Sequence, residues 1–149
     1  MKGLALIVSL LFFMALFSSF NNQADTTFSL TIDVHKLRNS KGMVQFALCN
    51  KDGSFPDESF KKYYKILRAE IANNSSQITM HNIPKGEYAV HILHDENSNG
   101  KIDKGFFLPI EGIGFSNHKT IQLSKRPNFE NASFLLDRNK EISVIMIYL

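Results

Sequence analysis

Between residues 95 and 103, oxygen-bearing side chains recur at alternating positions. Asp95, Asn97, Asn99 and Asp103 occupy the first, third, fifth and ninth places of a run whose sixth residue is Gly100. A chain that wraps a hard divalent cation turns alternate side chains inward, bends sharply at a glycine and offers a backbone carbonyl from the seventh place. The spacing therefore predicts a calcium site: side-chain ligands Asp95, Asn97, Asn99 and Asp103, and the carbonyl of Lys101. Only the first part of an EF-hand loop is present. Phe106 stands twelfth, where a bidentate Glu closes such a site, and the preceding segment reads as a strand, not a helix. Glu111 or Glu96 can supply a further carboxylate, and with so few charges the expected dissociation constant is on the order of 10⁻⁴ to 10⁻³ M. The alternative is an Asn/Gly-rich turn whose side chains cap its own backbone.

Other residues offer less chemistry. His94 precedes the loop and His91 lies on the other face of the same strand, with no Cys or third His at zinc-like spacing, so both are expected to be satisfied strand histidines. No Ser sits in a G-x-S-x-G elbow. The single cysteine, Cys49, follows Ala47 and Leu48 in an apolar run and reads as a buried thiol. These features assign no catalytic residue. The first functional reading is a noncatalytic binding or structural module. The competing one is a metal-dependent hydrolase with Glu96, Glu111 or His94 as general base on a metal-bound water.

The elements that must position the loop are short strands. Phe28, Leu30, Ile32 and Val34 alternate with polar residues, which is the pattern of a strand with one buried face. Turn residues Asn39 to Gly42 lead to a returning strand, Met43 to Cys49. Phe60 to Ala72 fits both helical and alternating spacing and is expected to form one helical turn and then a strand. Further strands are expected around Ile78 to Asn82, Tyr88 to Leu93, His118 to Leu123, Ser133 to Leu136 and Ile142 to Tyr148. Asp95 to Asn117 reads as one long loop. About seven to eight short strands separated by turn signals predict an all-β sandwich or barrel.

The chain's start differs in character. Lys2 is the only charge before Asp25, and Leu4 to Phe17 is an unbroken run of apolar and small residues. This is a signal-peptide layout, too short for an ordinary membrane span. The expected organisation is a signal peptide over residues 1–24 and a single domain over 25–149, exported to the periplasm or beyond, with no membrane span after cleavage. The hydrophobic fraction of 44% suits one buried core. Removing residues 1–24 takes away one lysine and no acid, leaving 16 basic and 14 acidic side chains. Bases this scattered give no nucleic-acid footprint. The expected partner is an envelope protein or glycan.

Several ordered motifs carry a resemblance: Ile83-Pro84-Lys85-Gly86-Glu87-Tyr88-Ala89-Val90, His94-Asp95-Glu96-Asn97, Asn99-Gly100-Lys101-Ile102-Asp103, Glu111-Gly112 and Gly114-Phe115-Ser116-Asn117, and Phe129-Glu130-Asn131-Ala132. Over roughly Phe28 to Leu149 the chain resembles the small exported bacterial proteins grouped as domain of unknown function 2141. It departs from their pattern at Ile110, where a basic residue is usual, and at Ile113, where an aromatic is common. The resemblance implies an all-β sandwich, immunoglobulin-like or transthyretin-like, and export, and brings no established activity.

Overall fold

A computed structural model of the chain describes residues 26–53, 55–120 and 127–149. The expected signal peptide lies outside the described residues. The first strand, β1 (Thr27–His35), follows its alternation: Leu30, Ile32 and Val34 are fully buried, while Thr31 and Asp33 are not. It pairs antiparallel with β4 (Ser76–Pro84) and parallel with β8 (Lys140–Ile145), so that Ile32 lies opposite both Ile78 and Ile142. These three strands form one sheet.

The second sheet runs in the order β3 (Lys65–Ala69), β2 (Met43–Cys49), β5 (Gly86–Asp95) and β6 (Gly112–Phe115), with β7 (Phe134–Leu136) pairing the first residues of β5. The result is the expected all-β sandwich, with eight strands among the described residues. Its main core lies between the sheets and includes Leu30, Ile32, Phe46, Leu48, Met80, Val90 and Ile92. Each such side chain contributes roughly 1.5–3 kcal/mol by leaving water.

Strands β2 and β5 are buried on both faces, which is why they read as nearly continuous apolar runs. On the outer face, Ala47, Cys49, Ala89 and Leu93 are covered by Phe55, Phe60, Phe115 and the one-turn helix α1 (Phe129–Ala132). That helix is closed by Asn128 and Asn131, each side chain accepting the other's backbone N–H at 3.0 Å.

Three segments differ from the sequence expectation. Residues before β3 form no helical turn: Phe60 has φ +53°, and the backbone around it folds onto the Asp57 carboxylate. Strand β6 lies inside the expected long loop. It escapes pattern reading because its inward positions are Gly112 and Gly114, where a Cβ would stand 2.4 Å from the Tyr148 ring and 2.8 Å from Val144 Cγ1. Of the strand expected over His118 to Leu123, His118 makes only an isolated bridge to Phe115, and residues 121–123 lie outside the described residues. The chain's end keeps its expected inward face, with Val144 and Met146 buried and Ile142 and Tyr148 packed against the core. Strand β8 stops at Ile145, after which Ile147 bridges to Ile113 and ties the two sheets together.

Candidate functional site

Strand β5 delivers Asp95 to the end of the second sheet, where it is fully buried. Its two carboxylate oxygens accept the backbone N–H groups of Asn99, at 3.0 Å, and Gly100, at 2.7 Å. Asn97 Oδ1 also accepts the Asn99 N–H, and Asn99 Oδ1 accepts that of Lys101 at 2.8 Å. These bonds wind the chain into a tight turn that needs Gly100 at φ +76°, with Arg68 so close that a Cβ there would lie 2.6 Å from its Nη2. The amide groups of Asn97 and Asn99 then donate to the Asp103 carboxylate at 2.6 to 3.2 Å. The turn thus gathers all four expected side-chain ligands. Lys101 enters it through its N–H, with an exposed side chain.

Glu111 closes the base of this turn. It is buried, and its two oxygens accept the N–H groups of Glu96 and Asp103 at 3.0 Å each, fastening both ends of the loop to one carboxylate. Burial pushes the Glu111 carboxyl above the usual carboxylate range, the negative charges of Asp103 and Asp95 push the same way, and the two N–H bonds do not offset them. Three carboxylates and two amides therefore share one end of the sandwich. Among the described residues no group of three or more His, Cys, Asp or Glu can hold a metal ion by itself, so any oxygen cage here must draw on Asn97, Asn99 and the backbone.

Glu96 has a different task. Burial raises its carboxyl, but hydrogen bonds from Asn39 and Arg38 and the Arg38 charge outweigh that and hold it below its ordinary value. Arg38 donates to Glu96 Oε1 at 2.6 Å and to the Ile110 carbonyl at 3.0 Å, and lies over the Tyr148 ring at 4.8 Å. Arg38 escaped the sequence reading because 58 residues separate it from Glu96. His94 is fully buried, with Nε2 3.0 Å from the Lys41 carbonyl and Nδ1 2.7 Å from the Tyr148 hydroxyl. A carbonyl only accepts, so Nε2 carries the proton and Nδ1 accepts from Tyr148. His94 is the satisfied strand histidine that was expected, and it anchors the end of the chain beneath the loop.

Residues 32–143 match the family described as an uncharacterized protein conserved in bacteria, DUF2141. The chain belongs to this family. No curated protein and no solved structure matches it. The matched span runs from β1 to β8 of this DUF2141 domain and contains the whole turn with Glu111.

The second histidine of the DUF2141 domain sits among aromatic rings. His91 stacks between Phe60 and Phe115, at 4.9 and 4.6 Å, with Nδ1 2.6 Å from the Tyr63 hydroxyl. Its Nε2 has no hydrogen-bond partner among the described residues, so it is satisfied on one side only. Burial holds its pKa down to about 3, and the ring is neutral. A groove of about 550 Å³ is lined by Ser116, Asn117, His118, Lys119, Ile142, Ser143 and Ile145, none of them a carboxylate and none part of the Asp95 turn. No helix among the described residues is long and apolar enough to cross a membrane.

Proposed function

We propose that this DUF2141 domain is an exported, noncatalytic module of the bacterial envelope whose Asp95–Asp103 turn takes a calcium ion. The ion orders that turn, whose residues 97–99 and 101 are exposed, as a recognition surface for an envelope protein or glycan. The observation that carries this reading is the convergence of Asp95, Asn97, Asn99 and Asp103 above the buried Glu111 carboxylate. Oxygen donors alone, with no thiolate or imidazole among them, suit calcium better than zinc. The Asn97 and Asn99 NH₂ groups now supply the positive partners of Asp103 that a cation would supply when bound. The apolar run at residues 4–17 supports export.

The hydrolase reading has less support. It needs a general base free to face a metal-bound water. His94 is buried with both nitrogens bonded, Glu96 holds Arg38 and Asn39, and Glu111 holds two backbone N–H groups.

The test is thermal unfolding after chelation, with calcium, magnesium and zinc titrated back, on the parent and on Asp95→Ala/Asp103→Ala. Calcium at 10 to 100 times its dissociation constant should stabilise the parent by about 1.4–2.7 kcal/mol and leave the double variant unchanged. Equal melting with and without calcium in both proteins would sink the proposal.

A further inference from the structure

Just beyond the turn the chain makes a small hairpin with an apolar tip. Lys104 bridges Pro109, and the Gly105 N–H donates to the Leu108 carbonyl at 2.9 Å, which leaves Phe106 and Phe107 as a two-residue tip. Exposed turn tips ordinarily carry small or polar residues. Here they carry two phenylalanines, 92% and 83% exposed, followed by the exposed Leu108 and Ile110. The two rings meet edge to face at 86°, so apolar surface wraps the tip instead of forming one flat side.

The charges around the tip add a second observation. Lys101 and Lys104 are exposed on the segment that leads into it. The Lys104 ammonium pairs with Glu58, which brings the 57–62 turn alongside, with Lys61 and Lys62 exposed within four residues of that contact. Apolar side chains at an apex with lysines behind them suit the boundary between acyl chains and anionic headgroups. The hairpin's own bonds, including Ile110 N–H to the Asp103 carbonyl at 3.0 Å, reduce the number of bare backbone groups that insertion would desolvate.

We propose that the Phe106–Phe107 tip is an interfacial anchor that inserts shallowly into a phospholipid bilayer carrying anionic headgroups. This goes beyond the calcium reading and does not depend on it. A rounded apolar tip with a basic surround is complementary to a lipid surface, whereas a stripe on one face would fit a protein groove.

The chain has no tryptophan, so Phe107→Trp in the full chain places a single reporter at the tip. On vesicles of phosphatidylglycerol and phosphatidylethanolamine its emission should shift to the blue and be quenched by brominated acyl chains. Phosphatidylcholine vesicles should give a weaker response, and adding Phe106→Ser should weaken the lipid concentration dependence of the Trp emission shift about 10-fold. Unchanged emission with every vesicle would overturn the proposal. So would a blue shift that depends on protein concentration and needs no lipid, because the tip would then dock on a second copy. Running each arm in calcium and in chelator separates the two readings: lipid insertion in both supports the anchor whatever the turn binds.

Discussion

Two loops of this domain start from the same device, an aspartate that collects backbone N–H groups, and end in opposite electrostatic states. In the 57–62 turn, Asp57 accepts the N–H groups of Ser59, Lys61 and Lys62 at 2.7 to 3.1 Å and the Ser59 hydroxyl at 2.6 Å. Burial raises its carboxyl, but those bonds win and bring its pKa down to about 2. In the 95–103 turn, Asp95 caps in the same way, yet Asp103 and Glu111 come with it, and Glu111 is pushed upward despite two N–H bonds. Capping accounts fully for the first loop. It does not account for the gathering of carboxylates in the second, and that surplus is what a cation would relieve.

The comparison breaks most visibly at Asp57. Asp57→Ala should cost about 3 kcal/mol, because several charge-assisted bonds disappear at once, and the loss should be the same in calcium and in chelator. Urea unfolding in both buffers checks this, and a calcium-dependent loss would erase the distinction between the loops.

Acid titration sharpens it further. His91 is held at about 3 when folded and returns to 6.5 when unfolded, so between those values the unfolded chain binds the extra proton. Its contribution to stability is present above pH 6.5 and is lost as pH falls toward 3, with a slope of up to about 1.4 kcal/mol per unit. Asp57 adds nothing in that window, because its own contribution fades only as pH falls below 3.8 through about 2. Unfolding free energies measured from pH 6.5 to 4 should therefore fall in the parent and fall less steeply in His91→Phe.

At the other loop, Glu111→Ala leaves the N–H groups of Glu96 and Asp103 without their acceptor. It should cost about 2 kcal/mol in chelator and also remove the calcium increment, a pairing that Asp57→Ala must not show. The smallest effect expected is that of Gly100→Ala: about 1 kcal/mol from the positive φ and the crowding of Arg68, with weaker calcium binding. Melting curves with and without calcium separate these two variants.

The sandwich was legible because β1, β2, β5 and the chain's end carry their burial pattern openly in the sequence. Strand β6 was not, since its inward glycines hide the alternation and make sense only beside Tyr148 and Val144. Helix α1 is a single turn, too short for any period. The side chains of the 95–103 turn were legible because alternate spacing within nine residues is local information. Glu111 was readable as one spare carboxylate among others. Its bridging of both loop ends was not, and neither was the Arg38–Glu96–Tyr148–His94 network, which joins positions far apart in the chain. The left-handed backbone at Phe60 defeated the helical reading by placing the ring against His91.

The most direct test of the central claim is a crystal structure grown in millimolar calcium, with anomalous scattering used to locate the ion. It should show one calcium at 2.3–2.6 Å from oxygens of Asp95, Asn97, Asn99 and Asp103 and the Lys101 carbonyl, with the amide bonds from Asn97 and Asn99 to Asp103 broken. Those amide bonds intact and no ion in the turn would contradict the account and leave the 95–103 segment a capped turn like the one at Asp57.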